Sequence, residues 1–377
     1  MIDCTIHRWF GYNGMMHILQ IYKAYPPVIG GIEHHLRDLS EGLVARGYRI
    51  TVLVVSPDRR THLSMPQPGL TVITAGRTWH AASTPLSLAM LHWAQRIRAD
   101  LVHLHFPYPP GDLAALAAAG RPPLVLTYHS DIVRQRVLLR AYRPLMALTL
   151  RRAGCIIATS PQYVASSPFL RPHAAKCRIV PLGVDTERFH PAGSSHAGPP
   201  RILFVGRLRY YKGLHVLIDA MAQLTGPAEL WIAGEGPEHE RLAAQAQAAG
   251  IAGRIRFLGD ISDTALPELY RSVDLFVLPA HLRAEAFGIA LTEALASGLA
   301  CISTELGTGT SFVNLDHVTG RVVPPADPAA LAQAIDNVLA DTKLRRQYGR
   351  AARARSIAHF SRHTMLDGIE QIYRDLR

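Results

Sequence analysis

The sequence predicts an α/β protein made of two Rossmann-like domains, each built on a parallel sheet. Three observations carry this. Short apolar runs alternate with helix-period segments through both halves of the chain, the pattern of parallel strands covered by helices on both faces. The 377 residues suffice for two domains of ordinary size, each with its own core. Residues 191–200, Pro-Ala-Gly-Ser-Ser-His-Ala-Gly-Pro-Pro, have the composition of a linker between them.

Composition narrows the classes. Hydrophobic residues make up 48%, which suits a globular chain. No apolar run reaches the roughly 18–20 residues that span a bilayer, and no secretory signal is evident. Cys4, Cys155, Cys177 and Cys301 are scattered without a C-x-x-C pair, which argues against a zinc site or disulfide framework and suits a reducing cytoplasm. Residues 1–190 hold 21 Lys and Arg against 10 Asp and Glu, whereas 191–377 hold 19 of each. The whole excess of +11 therefore lies in the N-terminal half. It points to an anionic partner: a membrane surface, a phosphate-bearing acceptor or nucleic acid. No nucleic-acid motif accompanies the charge, so nucleic acid is not expected.

The first 14 residues are irregular, and Met15-Met16 directly precedes the first strand, 17–22. The natural start is expected at Met15 or Met16, with 1–14 a non-native or disordered extension. Gly30 and Gly31 open a helix running to Gly47. Their amides either face an anion at the helix start or merely make a βα turn. Strand 49–55 follows, then a Pro-rich polar loop over 56–70, a third strand at 70–73 and a helix over 86–98. Strand 101–105 puts His103 and His105 on one face. A metal reading of this pair lacks a third ligand; the alternative is a pair at a strand end. A helix over 112–119 leads to strand 124–128, which ends in His129. A His at the carboxyl end of a parallel strand lies where open α/β sheets place ligands, or bonds a neighbouring loop. The segment 132–152 sets Arg134, Arg136, Arg140, Arg143, Arg151 and Arg152 among apolar residues, with Pro144 inside it. It fits either an anionic bilayer surface or an ordinary solvated helix face. Strands 155–160 and 177–181 close the first domain, which spans 15–190.

The second domain, 201–361, opens with strand 201–205 and then Gly206-Arg207-Leu208 and Lys212-Gly213. Arg207 and Lys212 either reach a diphosphate or are solvated loop charges. Strands 230–233 and 255–259 follow. The apolar run 274–279 reads as a buried strand, and a loop after it carries His281, Arg283 and Glu285. Ile289 to Ser297 reads as a helix stopped at Gly298. The unpaired amides near Phe287, Gly288 and Ile289 suit a phosphate, and Gly288 admits close approach of a ligand. Glu285 and Glu293, two carboxylates beside an anion site, suggest a ligand bearing both phosphate and hydroxyl groups; the plainer reading is a loop charge and a solvated helix face. Strand 300–303 precedes the Gly- and Thr-rich turn 305–310, and helices are expected over 328–340, 342–359 and 362–377.

Taken together, Phe204-Val205-Gly206-Arg207-Leu208, Lys212-Gly213, Ala233-Gly234-Glu235-Gly236-Pro237, Glu285 with Glu293 eight positions on, and Gly320-Arg321-Val322-Val323-Pro324-Pro325 resemble retaining glycosyltransferase family 4. The resemblance is close over 200–330 and looser over 15–190. It implies the GT-B architecture, two Rossmann-like domains facing a cleft, with an N-terminal acceptor-binding domain and a C-terminal nucleotide-sugar-binding domain. The helix 362–377 would pack back on the first domain. It also implies transfer of a hexose from a nucleoside-diphosphate sugar with the anomeric configuration retained. In sequence flavour the chain is similar to mannosyltransferases of bacterial cell-surface polysaccharide synthesis, which makes GDP-mannose the expected donor and a lipid-linked saccharide the expected acceptor. By the same resemblance Glu285 orients the donor sugar, His129 meets the sugar near the reacting carbon, and Arg207 and Lys212 neutralise the diphosphate. Gly30, Gly31, Gly206, Phe287, Gly288 and Ile289 line the donor, and Glu293 bonds the ribose hydroxyls. No Asp-x-Asp is present, so neither a divalent metal nor any cofactor is expected. The expected location is the cytoplasm, peripheral on the inner face of the plasma membrane. A related phosphorylase would need a lysine in a cofactor-aldehyde setting, which is not evident; the remaining alternative is an inactive membrane-associated scaffold of the same fold.

Overall fold

The computed structural model describes residues 15–28, 30–81, 84–132, 136–191 and 198–377. The expected extension 1–14, most of the expected linker 191–200, and Arg134 lie outside the described residues. Eight strands form the first sheet, in the spatial order Cys177–Ile179, Cys155–Ala158, Leu124–Tyr128, Leu101–Phe106, His17–Ile21, Arg49–Val55, Leu70–Ala75 and His62–Gln67. Its central pairs are parallel, with His17 opposite Arg49, Ile18 opposite Leu101 and Val102 opposite Leu124. His17–Ile21 and Leu101–Phe106 are buried along their whole length, as strands covered on both faces must be.

The sequence reading places a loop where His62–Gln67 pairs antiparallel with Leu70–Ala75. This edge strand leaves five of its six side chains exposed, so it has no apolar period to read. Backbone pairing across the turn at Gly69 (φ +87°) holds it. The helix expected over 86–98 is shorter, Leu88–Ala94, and starts where the Ser87 hydroxyl accepts from the Met90 amide. The helix expected over 112–119 begins earlier, at Pro109, because proline fits a first helical turn. The short helices Pro161–Ser166, Leu266–Arg271 and Thr310–Val313 complete too few turns to show a period.

The second sheet has six strands, all paired in parallel, in the order Ile255–Gly259, Glu229–Ala233, Arg201–Val205, Leu275–Leu278, Ala300–Thr304 and Gly320–Val323. Ile202, Leu203, Phe204, Leu230, Ile232, Phe276 and Val277 are fully buried at its centre. No helix among the described residues is long and apolar enough to cross a membrane.

The chain divides into two compact units, one of Met1–Tyr128, Leu138–Ile156 and Glu370–Arg377, the other of His129–Val137 and Ile157–Ile369. This partition differs from the sequence boundaries at 190/191 and 361/362. Residues 157–190 side with the second unit because Val184 exchanges backbone bonds with Phe360 (2.7 Å) and Arg362 (2.9 Å), and the Gly183 amide donates to Met365 Sδ (3.1 Å). Glu370–Arg377 belongs to the first unit. There Glu370 takes hydrogen bonds from Arg46 (2.9 Å) and Tyr48 (3.2 Å), and the Tyr373 hydroxyl meets His103 Nδ1 at 2.5 Å. His103 Nε2 meets the Thr127 hydroxyl at 2.6 Å, so both ring nitrogens are committed and the residue is structural. Burial pushes its imidazole down to about 3 and keeps it neutral.

One buried acid in the first unit gives a pH test. Asp112 is wholly buried; the Tyr142 hydroxyl donates to its Oδ2, and its Oδ1 has no partner among the described residues. Burial, only partly offset by the Tyr142 bond, pushes its carboxyl up to about 7 from an ordinary 3.8. Between those values the folded state holds a proton that the unfolded state releases, so this group's contribution to stability falls as pH rises from about 4 to about 7, by up to about 4 kcal/mol. Asp112→Asn should therefore be more stable than wild type at pH 8, with the advantage gone at pH 4. Urea unfolding of both proteins at the two pH values measures this, and a difference independent of pH contradicts it.

Candidate active site

In a parallel sheet the loops that follow neighbouring strands emerge side by side at the carboxyl edge. Arg201–Val205 and Leu275–Leu278 are such neighbours, with Ile202 opposite Leu275 and Leu203 opposite Phe276. Their loops meet at Gly213 (φ +72°), where a Cβ would lie 1.9 Å from the Pro279 carbonyl oxygen. Only glycine permits this contact, and it seats Lys212 over the following loop. On the other side, Gly234 and Gly236 admit the backbone of Gly206 and Leu208: a Cβ on either would come within 2.4 Å of a carbonyl oxygen. The Gly206 amide donates to Ala233 (3.0 Å) and the Leu208 amide to Glu235 (2.9 Å). Three successive strand ends are thus stitched into one rim.

Lys212 Nζ lies 2.5 Å from Glu285 Oε2, with both side chains mostly buried. Burial by itself would lower the lysine's pKa; the adjacent Glu285 carboxylate outweighs it, so the value is raised and the ammonium stays charged. Glu285 is fixed from behind. Its amide donates to the Leu282 carbonyl (3.0 Å), and its carbonyl accepts from the buried Thr308 hydroxyl (2.8 Å). Thr308 belongs to the Gly- and Thr-rich turn 305–310. Gly206 is adjacent: a Cβ there would sit 3.5 Å from Lys212 Nζ. Arg207 is exposed, and its guanidinium has no partner among the described residues.

Gly288 (φ +89°) is the N-cap of the helix Ile289–Ala296. The Phe287 ring is buried in the core against Phe360, 6.1 Å between centroids, so only its backbone is available to a ligand. Glu293, half-buried on that helix, accepts from the buried Tyr270 hydroxyl at 2.8 Å; the same hydroxyl also reaches the Ala290 carbonyl (3.1 Å). Sequence reasoning missed Tyr270, which sits on a six-residue helix and meets Glu293 only in the folded chain. His129 is buried and lies in the second unit with these residues. Gly30 and Gly31 lie in the first unit, where the nearest anion is the chain's own: a Cβ on Gly30 would fall 2.1 Å from Glu33 Oε2.

A cationic rim of Lys212, Arg207 and a helix start, beside a fixed carboxylate, can neutralise a diphosphate while holding hydroxyl groups. The ion pair itself is testable. Lys212→Met leaves the Glu285 carboxylate buried without its cation and should cost about 3 kcal/mol. Lys212→Met/Glu285→Gln should recover most of that loss. Denaturation of both variants without nucleotide decides it: equal losses in the single and double variants would mean that the pair is not coupled.

The chain is similar to known glycosyltransferases over most of its length. Residues 29–188 match the family model described as Glycosyltransferase Family 4, and residues 185–355 match Glycosyl transferases group 1. The chain is 36% identical over 370 residues to the O-antigen chain mannosyltransferase C of Escherichia coli, covering 96% of this chain and 99% of that one. It is 39% identical over 350 residues to a D-rhamnosyltransferase of Pseudomonas aeruginosa, covering 90% and 91%. Among solved structures, a sucrose-phosphate synthase from Thermosynechococcus elongatus superposes with a TM-score of 0.82 at 25% identity, covering 96% of this chain and 99% of that one. Two parallel-sheet α/β domains of GT-B type, the paired glutamates and near full-length similarity lead to one conclusion: the chain belongs to glycosyltransferase family 4.

Proposed function

We propose that this hexosyltransferase of cell-surface polysaccharide synthesis transfers mannose from GDP-mannose to a lipid-linked saccharide, with retention of the anomeric configuration. The observation that carries the reading is the buried Lys212–Glu285 pair beside the exposed Arg207. Lys212 and Arg207 neutralise the diphosphate as the bond from the anomeric carbon to the leaving oxygen breaks. The amides at Phe287, Gly288 and Ile289 complete that cradle. Glu285, held by Lys212 and Thr308, orients the sugar hydroxyls, and His129 meets the sugar near the reacting carbon. Glu293, fixed by Tyr270, receives the ribose hydroxyls. Two cations of the chain itself serve the diphosphate, so the reaction needs no divalent ion. The similarity to a mannosyltransferase of O-antigen chains supports the donor, the acceptor class and the polysaccharide setting.

The basic N-terminal half brings the enzyme to an anionic membrane surface from the cytoplasmic side. The helix Arg136–Arg152 supports this: Arg140, Arg143 and Arg151 are exposed with Leu138 and Leu148, while Leu139, Tyr142, Met146 and Leu150 are buried.

Thermal shift with GDP, UDP, ADP and their sugar conjugates, in the presence of EDTA, tests the donor site. At 100 times Kd the guanosine ligands should add about 2.7 kcal/mol of stability. Arg207→Ala should leave the unliganded melting temperature unchanged and weaken nucleotide binding about 10- to 100-fold, because it removes a charged contact from an otherwise unpaired side chain. A preference for UDP would overturn the donor assignment, and loss of all shifts in EDTA would overturn the metal-free reading. Two kinetic variants test the carboxylates. Glu285→Gln should lower kcat by at least about 100-fold in a folded protein. Tyr270→Phe should raise the donor KM about fivefold with kcat kept, since it loosens one contact to Glu293; an unchanged KM would detach Tyr270 from the donor site.

A further inference from the structure

Arg283 and Asp131 stand outside the machinery described so far. Arg283 Nη1 donates to the carbonyl oxygens of Leu306 (3.2 Å) and Gly307 (3.1 Å), and Nη2 meets Asp131 Oδ2 at 3.4 Å. The guanidinium lies over the Tyr163 ring, 5.6 Å from its centroid. Asp131 is itself tightly held: Oδ1 accepts from the Ser167 hydroxyl (2.7 Å), and its amide donates to the Tyr163 hydroxyl (2.6 Å). Its side chain is only 9% exposed, so its charge needs a cation. The Gly307 carbonyl also accepts from the Ser166 hydroxyl. Gly307 (φ +62°) lets the guanidinium come close, since a Cβ there would lie 3.3 Å from Arg283 Nη1.

The positions of the two residues give this network its meaning. Asp131 lies two residues after His129 and Arg283 two residues before Glu285. Thr308, which bonds the Glu285 carbonyl, is next to the Gly307 carbonyl that Arg283 grips. One planar fork therefore joins the loops 129–131, 282–285 and 306–308, all inside the second unit. A lysine, with a single point charge, could not serve the two carbonyls and the carboxylate in this fixed geometry.

We propose that Arg283 and Asp131 form a positioning clamp that holds the His129 loop and the Glu285 loop in catalytic register, and that the clamp sets kcat rather than donor affinity. It rests on the roles proposed above for His129 and Glu285. Among the described residues the clamp makes no direct contact with Lys212, Arg207 or the Tyr270–Glu293 pair, so its main effect falls on the placement of the reacting groups rather than on donor affinity. A misplacement of about 1 Å between reacting groups costs up to about 100-fold in rate.

The experiment is steady-state kinetics, with melting temperatures, on Arg283→Met, Arg283→Lys, Asp131→Asn, the double variant Arg283→Met/Asp131→Asn, and Glu285→Gln. Arg283→Met and Asp131→Asn should each lower kcat about 10- to 100-fold with donor KM within about threefold of wild type. The double variant should be no slower than the worse single one, because the two residues act as a unit. Arg283→Lys should recover part of the rate by restoring the charge beside Asp131; it also carries the test if Arg283→Met does not fold. The clamp is overturned if a folded Arg283 variant keeps kcat within about threefold of wild type, if KM rises with kcat unchanged, if the two single losses multiply in the double variant, or if only the melting temperature falls. If Glu285→Gln retains full transfer, the active-site reading itself fails. If Glu285→Gln is inactive while the Arg283 variants run at full rate, only the clamp fails.

Discussion

A lysine and a glutamate that share a nearly dry spot dictate much of what surrounds them. Taking two charges out of water costs several kcal/mol each, and only close, well-fixed geometry offsets it. Lys212 and Glu285 meet at 2.5 Å because two adjacent parallel strands present their following loops at the same level. Gly213 removes the Cβ that would collide with Pro279, and Thr308 holds the carbonyl behind Glu285. The register of the second sheet, the positive-φ Gly213 and one buried threonine all bear on a single contact.

The pair also divides labour among the cations. Lys212 is committed in the unliganded protein, and its partner keeps the ammonium charged despite burial. Arg207, a few residues earlier on the same loop, is exposed and uncommitted among the described residues. A diphosphate arriving at this rim would meet a free guanidinium first and a preorganised ammonium second. Only the second demands that an existing interaction be shared, so the two cations differ in what they contribute: Arg207 attraction with little structural consequence, Lys212 a link between ligand charge and the Glu285 carboxylate.

What could be read from the sequence follows from the range over which each interaction acts. Strands such as Arg201–Val205 and Leu275–Leu278 were legible because burial on both faces writes a continuous apolar run. Glu285, Gly288 and Glu293 were legible because a strand end, a glycine and a helix start lie within a few residues of one another. The strand His62–Gln67 was hidden, since an exposed edge is held by backbone bonds that leave no trace in side-chain pattern. Tyr270 and Glu293 are 23 residues apart, and Asp131 and Arg283 are 152 apart; neither pairing has a local signature. The compact units differ from the sequence boundaries because residues 157–190 join the second unit through Val184, Gly183 and Met365, contacts that no linker composition announces.

Both units bury titratable groups in their interiors. In the first, His103 between Thr127 and Tyr373 and Asp112 against Tyr142 are shifted toward their neutral forms, while Arg46 and Glu370 form a mostly buried ion pair. A neutral buried group costs less than an isolated ion, and hydrogen bonds such as those from Thr127 and Tyr142 offset part of that cost. In the second, the buried polar groups at the rim are ions in pairs, Lys212 with Glu285 and Arg283 with Asp131, placed where a charged substrate would need fixed countercharge. Where such a pair shares its loop with an exposed cation, as Lys212 does with Arg207, the rim offers fixed charge of both signs to a polar ligand.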